Sequence, residues 1–385
     1  MYAKGISSLP PYLFAGIDKR KEEARKKGVD VIDLGIGDPD LPTPPHIVEA
    51  LCHAAKDPSN HRYPSYEGLL SFREAVATWY KQRKHVNLDA DDEVLTLIGS
   101  KEGLAHSVFA FLNPGDIALV PDPAYPVYNN ATVLAGSTPY SVPLTEEHDF
   151  KPDLESIDKE IARKAKIMFL NYPNNPTAAT VEKNFFKEVV DFAHENDIII
   201  LHDNPYSELT FDGYEAPSFL AVKGAKEVGI EFNSLSKTYN MTGWRIGYAV
   251  GNSEILEGLR IVKTNIDSGA FQAVQIAGIV ALTDSQDSVK RNMEIYRERR
   301  DIAVTGLRAA GVEVKTPKAT FYLWAKVPSG FSSIQFSMFL LERTGVVVTP
   351  GLGFGKHGEG FFRLAFCISG ERLKEACERI KRLNL

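Results

Sequence analysis

The sequence feature that most constrains the fold is an alternation of short apolar runs with helical patterns through the middle of the chain. Continuous runs of β-branched and other apolar residues are typical of strands buried on both faces of a mostly parallel sheet. Between such runs, residues 101–112 and 185–193 place apolar side chains at helical spacing. The alternation predicts an α/β domain with helices covering the sheet. The strand-like runs are residues 93–98, 117–120, 167–170, 198–201 and 229–232.

The C-terminal part of the chain follows a different pattern. A long polar helix is predicted over residues 289–309, a strand over 361–366 and an amphipathic helix over 370–385. These elements predict a second, smaller α+β domain. The predicted division gives residues 41–280 to the large domain, and residues 1–40 together with 281–385 to the small one.

The composition argues against several classes of function. Lys and Arg number 44 against 50 Asp and Glu, a net charge of −6, whereas binding to nucleic acids or anionic membranes needs concentrated positive charge. No apolar run approaches the ~18 residues of a membrane span, and the N-terminus lacks the apolar core of a signal peptide. Three cysteines without C-x-x-C spacing predict free thiols. We expect a cytoplasmic protein that binds neither nucleic acid nor membrane.

The glycine-rich segment 351–358 does not fit a nucleotide-binding motif. The first glycine of a P-loop would fall at Pro350, and His357 follows Lys356 where Ser or Thr is required. Because a strand-like run follows the glycines, the segment favours a ligand-facing loop over a dinucleotide fingerprint. The nine histidines show no metal-ligand spacing, so no metal site is predicted.

Polar residues follow the carboxyl ends of the predicted strands, where open α/β sheets bind ligands. Ser100 and Lys101 stand where a helix begins, a position that favours an anion, although Ser100 is also a common helix cap. Residues 171–177 form a rigid loop of Asn and Pro. Asp203 ends a buried strand, where a carboxylate needs a positive partner, although an Asp there also caps helices.

The segment 233–248 is the richest of these strand ends. It combines hydroxyl groups with Lys237 and Arg245, a set that suits a phosphate. A neighbouring cation such as Arg245 would lower the pKa of the Lys237 amine and favour its use as a nucleophile. Taken alone, Lys237 could also be an ordinary surface lysine.

Taken together, these motifs resemble the pyridoxal-phosphate aminotransferases of fold type I, class I/II, over nearly the whole chain. Asn175 precedes Asp203 by 28 residues, and Asp203 precedes Lys237 by 34. The resemblance implies an aspartate-aminotransferase-like fold with a seven-stranded, mostly parallel sheet, and pyridoxal 5'-phosphate as cofactor. One departure is Ala178, where the family usually has Gly after Asn-Pro-Thr. The matching segments are residues 34–40, 63–68, 122–125, 171–177, 203–206, 234–248 and 362–366.

The resemblance also implies the cofactor contacts. Lys237 would bond covalently to the cofactor aldehyde and then move the substrate proton. Asp203 would pair with the pyridine nitrogen and keep the ring an electron sink. Asn175 and Tyr206 would hydrogen-bond the phenolic ring oxygen, and Tyr125 would stack on the ring. The phosphate would be held by Ser100, Lys101, Ser234, Ser236 and Arg245, and by a tyrosine matching Tyr63 that reaches across from the partner subunit.

For the substrate, the resemblance assigns the α-carboxylate to Arg363, whose planar fork binds a carboxylate in bidentate fashion. Gly37, Asn175, Lys101 and Tyr125 would line the same site. Tyr12 and Asn265 occupy positions suited to side-chain recognition. The Tyr63 match implies a homodimer with shared active sites.

The implied reaction is reversible transfer of an amino group between an L-amino acid and a 2-oxo acid. Segments such as Gly-Ile-Gly-Asp-Pro-Asp and Lys-Thr-Asn-Ile-Asp-Ser-Gly are similar to the LL-diaminopimelate subgroup of the family, which transfers an amino group from LL-diaminopimelate to 2-oxoglutarate in lysine biosynthesis. Aspartate, alanine or aromatic aminotransferase activity, and carbon–sulfur lyase activity on the same scaffold, are the alternatives. A non-catalytic regulator is disfavoured, because such proteins carry an added DNA-binding segment.

Overall fold

The computed structural model describes residues 2, 4–9 and 13–385. Its strands are β1 (Ile32–Asp33), β2 (Val94–Leu97), β3 (Ile117–Asp122), β4 (Thr138–Pro143), β5 (Ala165–Asn171), β6 (Ile199–Asp203), β7 (Gly229–Ser234), β8 (Gly247–Gly251), β9 (Tyr322–Lys326), β10 (Val346–Val347), β11 (Thr349–Pro350) and β12 (Phe361–Ala365).

The α-helices of the described residues are α1 (Lys4–Ser7), α2 (Leu13–Lys26), α3 (Pro45–Ala54), α4 (Leu70–Arg83), α5 (Ser100–Phe111), α6 (Val127–Leu134), α7 (Lys159–Lys164), α8 (Lys183–Asn196), α9 (Ala225–Val228), α10 (Leu235–Thr238), α11 (Ser253–Ile266), α12 (Gln272–Thr283), α13 (Asp287–Ala309), α14 (Ser333–Thr344) and α15 (Gly370–Lys381). Short 3-10 helices cover Pro58–His61, Glu146–His148, Leu154–Ser156, Phe219–Ala221, Thr242–Trp244, Gly351–Phe354 and Lys356–Gly358.

The large sheet has seven strands in the order β2-β8-β7-β6-β5-β3-β4. Strand β8 runs antiparallel to both of its neighbours, and the other neighbouring pairs are parallel. The predicted fold class is therefore confirmed. The predicted strands are confirmed as well, with β3, β5, β6 and β7 each extending beyond its apolar run to a polar residue at its carboxyl end.

Apolar side chains cover both faces of the large sheet. On one face, Phe186 and Val189 of the amphipathic helix α8 pack against the sheet. On the other face, Leu104 and Val108 of α5 pack against strands β2 and β7. Burial on both faces explains why the strands are continuous apolar runs rather than alternating ones.

A second core lies around the antiparallel sheet β11-β12-β9. Helices α13 and α15 supply Leu307 and Leu373 to it, and the N-terminal segment adds Ile32 and Leu34. Strand β1 pairs with β10 through Ile32 and Val346, so residues far apart in sequence share this core. These contacts support the division at residues 41 and 280, which stays a prediction.

The glycine-rich segment forms two short 3-10 helices and then strand β12, so it is not a nucleotide-binding loop. Its glycines allow a close backbone approach, because a Cβ atom on Gly351 would lie 1.9 Å from the carbonyl oxygen of Gly358. The segment is attached to the large sheet, since the backbone N–H of Ala124 donates to the carbonyl of Phe354 over 2.8 Å. Phe354 thereby faces the ligand-binding side.

Two further sequence expectations concern thiols and membranes. Cys52 is exposed, Cys367 and Cys377 are buried, and none of the three forms a disulfide. In the described part of the chain, every helix is too short or too polar to cross a membrane.

Candidate active site

The carboxyl ends of β5, β6 and β7 open into a cavity of about 650 Å³ between the two cores. Parallel strands bring their carboxyl ends to one edge of a sheet, which explains how separate motifs meet there. The cavity is lined by most of the predicted site residues: Gly37, Ser100, Lys101, Tyr125, Asn175, Asp203, Tyr206, Ser234, Ser236, Lys237, Arg245 and Arg363.

One end of the cavity suits an anion. Helix α5 begins there at Ser100, so its unpaired backbone N–H groups face the cavity. Gly99 precedes it with φ of +96°, and a Cβ atom at that position would lie 2.1 Å from Nη2 of Arg245. Glycine therefore lets the guanidinium approach the helix start. The hydroxyl of Ser236 is buried there without a hydrogen-bond partner.

Asp203 is a buried carboxylate at the end of β6, with 4% of its surface exposed. The hydroxyl of Tyr128 donates to its Oδ2 over 2.6 Å. Its Oδ1 is buried and has no hydrogen-bond partner among the residues that the structure describes. Burial raises the pKa of Asp203 to about 6, while the Tyr128 hydrogen bond and the charge of His202 act in the opposite direction. The open oxygen therefore suits a cationic or N–H donor from a ligand.

Lys237 reaches into the cavity from the short helix α10. Its Nζ donates to the carbonyl oxygen of Gly37 over 2.9 Å. Burial lowers the pKa of Lys237, and the cations of Arg363 and Arg245 add to this effect. The sequence also predicted a lowered pKa for Lys237, but from neighbouring cations, whereas burial is the leading cause. A lowered pKa makes the neutral, nucleophilic amine more accessible.

The loop after β5 is held by its own asparagines. The amide of Asn171 donates to the carbonyl of Asp203 over 2.7 Å and accepts from the backbone N–H of Asn175 over 2.7 Å. Asn174 accepts in turn from the backbone of Thr177 over 3.0 Å. The next residue, Ala178, has φ of +57°, a conformation that favours glycine. The departure from the family pattern therefore falls on a position with positive φ.

Arg363 of β12 enters the cavity from the small sheet and is 5% exposed. Its Nη1 donates to Oδ1 of Asn175 over 2.6 Å, and its Nη2 donates to the carbonyl of Gly35 over 2.7 Å. The rings of Tyr322 and Phe354 lie 4.3 Å and 4.7 Å from its guanidinium carbon. The side chain is therefore fixed in place before any ligand arrives.

Two tyrosines complete the cavity wall. The hydroxyl of Tyr206 lies 3.1 Å from that of Tyr322, and burial raises the pKa of both, that of Tyr322 to about 12. Lys101 places its Nζ 5.6 Å from the ring centre of Tyr125. Tyr125 and Lys101 therefore face the same part of the cavity.

Two predicted residues, Tyr63 and Asn265, lie outside this cavity. Tyr63 is 88% exposed and lies beside Phe271 on another surface. Asn265 is exposed and donates its amide to the carbonyl of Ile261 over 2.8 Å. Tyr12 lies outside the described residues.

Sequence reasoning missed four residues that shape the site: Tyr128, Tyr322, Phe354 and Gly35. Tyr128 lies in the first turn of α6, and its ring is edge-on to that of Tyr125, just before the helix, at 6.1 Å. Tyr322, Phe354 and Gly35 meet Arg363 through long-range packing, and no local motif marks them.

The sequence also gave no sign of a second polar cluster, formed by Glu102, His106 and Asp267, whose ligand atoms lie within 4.8 Å of one another. The ammonium of Lys263 lies 2.6 Å from Asp267 and 3.5 Å from Glu102. The charge of Lys263 therefore offsets one of the two carboxylate charges.

Comparison with known proteins supplies the family. The model of the family "Aminotransferase class I and II" matches residues 29–380. An LL-diaminopimelate aminotransferase of Halothermothrix orenii is 57% identical over 383 residues, which is 100% of this chain and 98% of the relative. One of Aquifex aeolicus is 56% identical over 384 residues, 100% of this chain and 99% of the relative.

Solved structures show the same fold. Substrate-bound BacF of Bacillus subtilis has a TM-score of 0.96 and 40% identity, covering 100% of this chain and 98% of that one. A single mutant of the aspartate aminotransferase of Thermus thermophilus has a TM-score of 0.93 and 30% identity, covering 100% of this chain and 99% of that one.

Proposed function

The chain belongs to the class I and II aminotransferases, and from that premise we propose that it is an LL-diaminopimelate aminotransferase. It would exchange an amino group between LL-diaminopimelate and 2-oxoglutarate, as a step of lysine biosynthesis in the cytoplasm. The observation that carries this substrate assignment is the 57% identity over the whole chain to relatives of that name. Its substrates are small amino and 2-oxo acids, as in the rest of the family.

The enzyme is a transferase that depends on pyridoxal 5'-phosphate. Bound in the cavity, this cofactor supplies a ring that stabilises negative charge at the substrate α-carbon. The chain fits it, because Asp203 has a buried oxygen without a partner and the ring nitrogen is the donor such an oxygen needs. Asn175 and Tyr206 would hydrogen-bond the ring oxygen, and Tyr125 would pack on the ring face.

The anion-binding end of the cavity would hold the phosphate. The α5 N-terminus offers backbone N–H groups, and the guanidinium of Arg245 adds charge-assisted hydrogen bonds. The buried hydroxyl of Ser236 lacks a partner in the described part of the chain, as expected of a group that binds a ligand. The full set would be Ser100, Lys101, Ser234, Ser236 and Arg245.

Lys237 would bond to the cofactor aldehyde and would later act as the base that removes the proton from the substrate α-carbon. Both tasks need a neutral amine, and the lowered pKa of Lys237 favours that form. The carbonyl of Gly37 accepts from the amine and orients it towards the cavity.

Arg363 would bind the substrate α-carboxylate. Its hydrogen bonds to Asn175 and Gly35 already order the side chain, so little conformational entropy is lost when the carboxylate binds to this cation. Lys101 and Tyr125 line the same cavity and would contact the rest of the substrate.

We also propose a homodimer. Tyr63 and Asn265 are exposed and lie outside the cavity of their own chain, so each is free to reach a partner's cavity. Apolar side chains are exposed on α11 and just beyond it, with Ile261 at 55%, Ile266 at 59% and Phe271 at 45%. Light scattering should give about twice the chain mass of 42.6 kDa, and a monomer that is fully active would contradict the proposal.

A panel of amino donors with 2-oxoglutarate tests the substrate. We expect LL-diaminopimelate to exceed aspartate, alanine and aromatic amino acids in kcat/KM by at least about tenfold. A higher value for any of these three would reassign the substrate within the family. Release of ammonia and pyruvate from a sulfur amino acid would instead indicate a carbon–sulfur lyase.

Borohydride reduction tests the cofactor bond. Mass spectrometry of the reduced protein should place one pyridoxyl group on Lys237. The variant Lys237→Ala should carry none, whereas Lys223→Ala, which removes an exposed lysine, should keep it. Absence of the adduct from the unmodified protein after addition of pyridoxal phosphate would refute the role of Lys237.

The substitution Arg363→Lys tests the carboxylate contact. A lysine cannot form the bidentate bond, so KM for the amino donor should rise about 10- to 100-fold. The pyridoxyl adduct should remain. As a matched control, Arg343→Lys changes an exposed arginine that also lies over an aromatic ring and should leave KM unchanged. An unchanged KM in Arg363→Lys would refute the assignment.

A further inference from the structure

A buried histidine–glutamate pair lies directly behind the strand end that carries Asp203. His202 of β6 and Glu231 of β7 are register partners across the two parallel strands. Both are 0% exposed, and Nδ1 of His202 lies 3.0 Å from Oε2 of Glu231. Burying such a pair in the middle of a sheet costs solvation energy that apolar residues would not. The pair therefore calls for a functional explanation.

The contacts of His202 favour a proton on both ring nitrogens. Nε2 lies 3.1 Å from the backbone carbonyl of Tyr172, an oxygen that can only accept. Nδ1 faces a carboxylate oxygen of Glu231. An imidazole that donates from both nitrogens is a cation.

Glu231 is surrounded by donors, which favours the ionised form of its carboxylate. Its Oε1 accepts from the hydroxyl of Tyr80 over 2.7 Å. Its Oε2 accepts from the hydroxyl of Ser218 over 3.0 Å and from the backbone N–H of Phe219 over 2.9 Å. Burial acts to raise the pKa of Glu231, but His202 and Tyr80 bring it below its ordinary value.

The surroundings of the pair contain few other titratable groups. The rings of Phe186 and Phe219 lie 5.0 Å and 6.2 Å from that of His202. Tyr80 faces Glu231 from α4, and Tyr248 of β8 stands edge-on to Tyr80. Burial raises the pKa of each tyrosine well above the ordinary tyrosine value, so both side chains are neutral. Asp203, adjacent in sequence, is a further carboxylate on which His202 acts.

Successive residues of a strand point to opposite faces of the sheet. His202 therefore stays out of the cavity, packed under α8, while Asp203 faces Tyr128 and the ligand. A positive charge on His202 acts on Asp203 through the low-dielectric interior. It opposes the effect of burial on the pKa of Asp203.

We propose that His202, held as a cation by Glu231, is a positioning residue for the cofactor site, and that its charge keeps the Asp203 carboxylate ionised towards the cofactor ring nitrogen. This inference rests on the proposed role of Asp203. It adds to that role the charge of His202, which lies on the opposite face of the sheet from the cavity and favours the ionised form of Asp203.

Nitrogen NMR of histidine-labelled protein tests the charge directly. In the protein with and without cofactor, both ring nitrogens of His202 should carry a proton at about pH 7. The variant His202→Gln assigns the signal by its loss. A bare ring nitrogen on His202 would overturn the inference.

Three variants test the effect on the cofactor site: His202→Gln, Glu231→Gln and the double substitution. His202→Gln removes the positive charge and leaves the negative one. The pH at which half of the cofactor is lost on acidification should therefore rise by about one unit or more. The double substitution removes both charges and should reverse only part of that shift. The same pH in wild type and His202→Gln would overturn the inference.

The outcomes separate this inference from the proposed function. If no pyridoxyl group forms on Lys237, the proposed function fails. If the adduct forms normally but His202 is neutral, only the inference fails. Should His202→Gln fail to fold, the NMR of the unmodified protein still decides the charge, and His202→Asn gives a second measurement of its effect on cofactor loss.

Discussion

Two strands of the large sheet end in a buried aspartate, and the two ends differ in what their carboxylates contact. Asp122 at the end of β3 accepts from Ser141 over 2.9 Å, from the ring of His357 over 3.0 Å and from its backbone N–H over 3.1 Å. Asp203 at the end of β6 accepts from Tyr128, and its other oxygen has no partner.

The difference separates a structural aspartate from one kept for a ligand. Asp122 is satisfied by the chain itself, and its contacts attach the glycine-rich segment 351–358 to the large sheet. Asp203 is buried with one open oxygen, an arrangement that costs stability unless a ligand completes it. In the protein without its cofactor, Asp122 therefore stabilises the fold, whereas Asp203 at the equivalent strand end destabilises it.

Removing the charge of Asp203 should have the largest effect on activity. Asp203→Asn loses the carboxylate that would pair with the ring nitrogen, and we expect kcat/KM to fall about 10³-fold or more. Asp122→Asn, the matched change at the other strand end, should lower kcat/KM less than about tenfold. Equal losses in the two variants would refute the distinction.

The same substitution should stabilise the protein when no cofactor is present. The pKa of Asp203 is raised to about 6, against 3.8 for an ordinary Asp, so the folded state disfavours its ionised form. Replacing it by Asn should raise the free energy of unfolding by about 1 to 3 kcal/mol above pH 6. The gain should shrink as the pH falls through about 6 and should vanish only below the ordinary value of 3.8, where the carboxyl is protonated in both states.

Urea unfolding of the cofactor-free proteins at about pH 7.5 and about pH 4.5 measures this difference. Addition of pyridoxal phosphate should reverse the order and leave the wild type more stable, since it gains binding energy that the variant lacks. A cofactor-free Asp203→Asn protein that is less stable at both pH values would contradict the assignment of strain to this carboxylate.

The sequence predicted these two strands, but not which of the two aspartates has an oxygen without a partner among the described residues. Apolar runs predicted the strands, and the meeting of parallel strand ends explains why Asp203 and Lys237 share a cavity. Nothing local to Asp203 indicates that one oxygen stays open, because this depends on Tyr128, 75 positions away. Likewise Arg363 is fixed by Gly35, 328 positions away, and by the ring of Phe354.

Asp122→Asn should change stability in the opposite direction. The amide nitrogen of Asn cannot accept from Ser141 or His357, so a buried donor loses its partner. The free energy of unfolding should fall by about 1 to 3 kcal/mol. Since Phe354 lies in the attached segment and contacts Arg363, KM for the amino donor should rise a few-fold while kcat changes little. A variant as stable as the wild type would show that these contacts do not support the fold.

The smallest expected effect comes from Tyr128→Phe, which removes the one hydrogen bond that the Asp203 side chain receives from the described residues. The ring of Tyr128 is stacked on Phe169 at 4.9 Å, and Phe preserves that packing. The hydroxyl lowers the pKa of Asp203, so without it the carboxylate becomes protonated at a higher pH as the solution is acidified. The acid limb of the kcat/KM profile should therefore move upward by up to about one pH unit.

The matched change at the other strand end is Ser141→Ala, which removes one of the donors to Asp122. Because Asp122 does not line the cavity, the acid limb should stay where it is in the wild type, even if the protein loses some stability. A shift of equal size in both variants would mean that the profile reports general loosening of the sheet edge. A shift in Tyr128→Phe alone would tie the acid limb to the open carboxylate of Asp203.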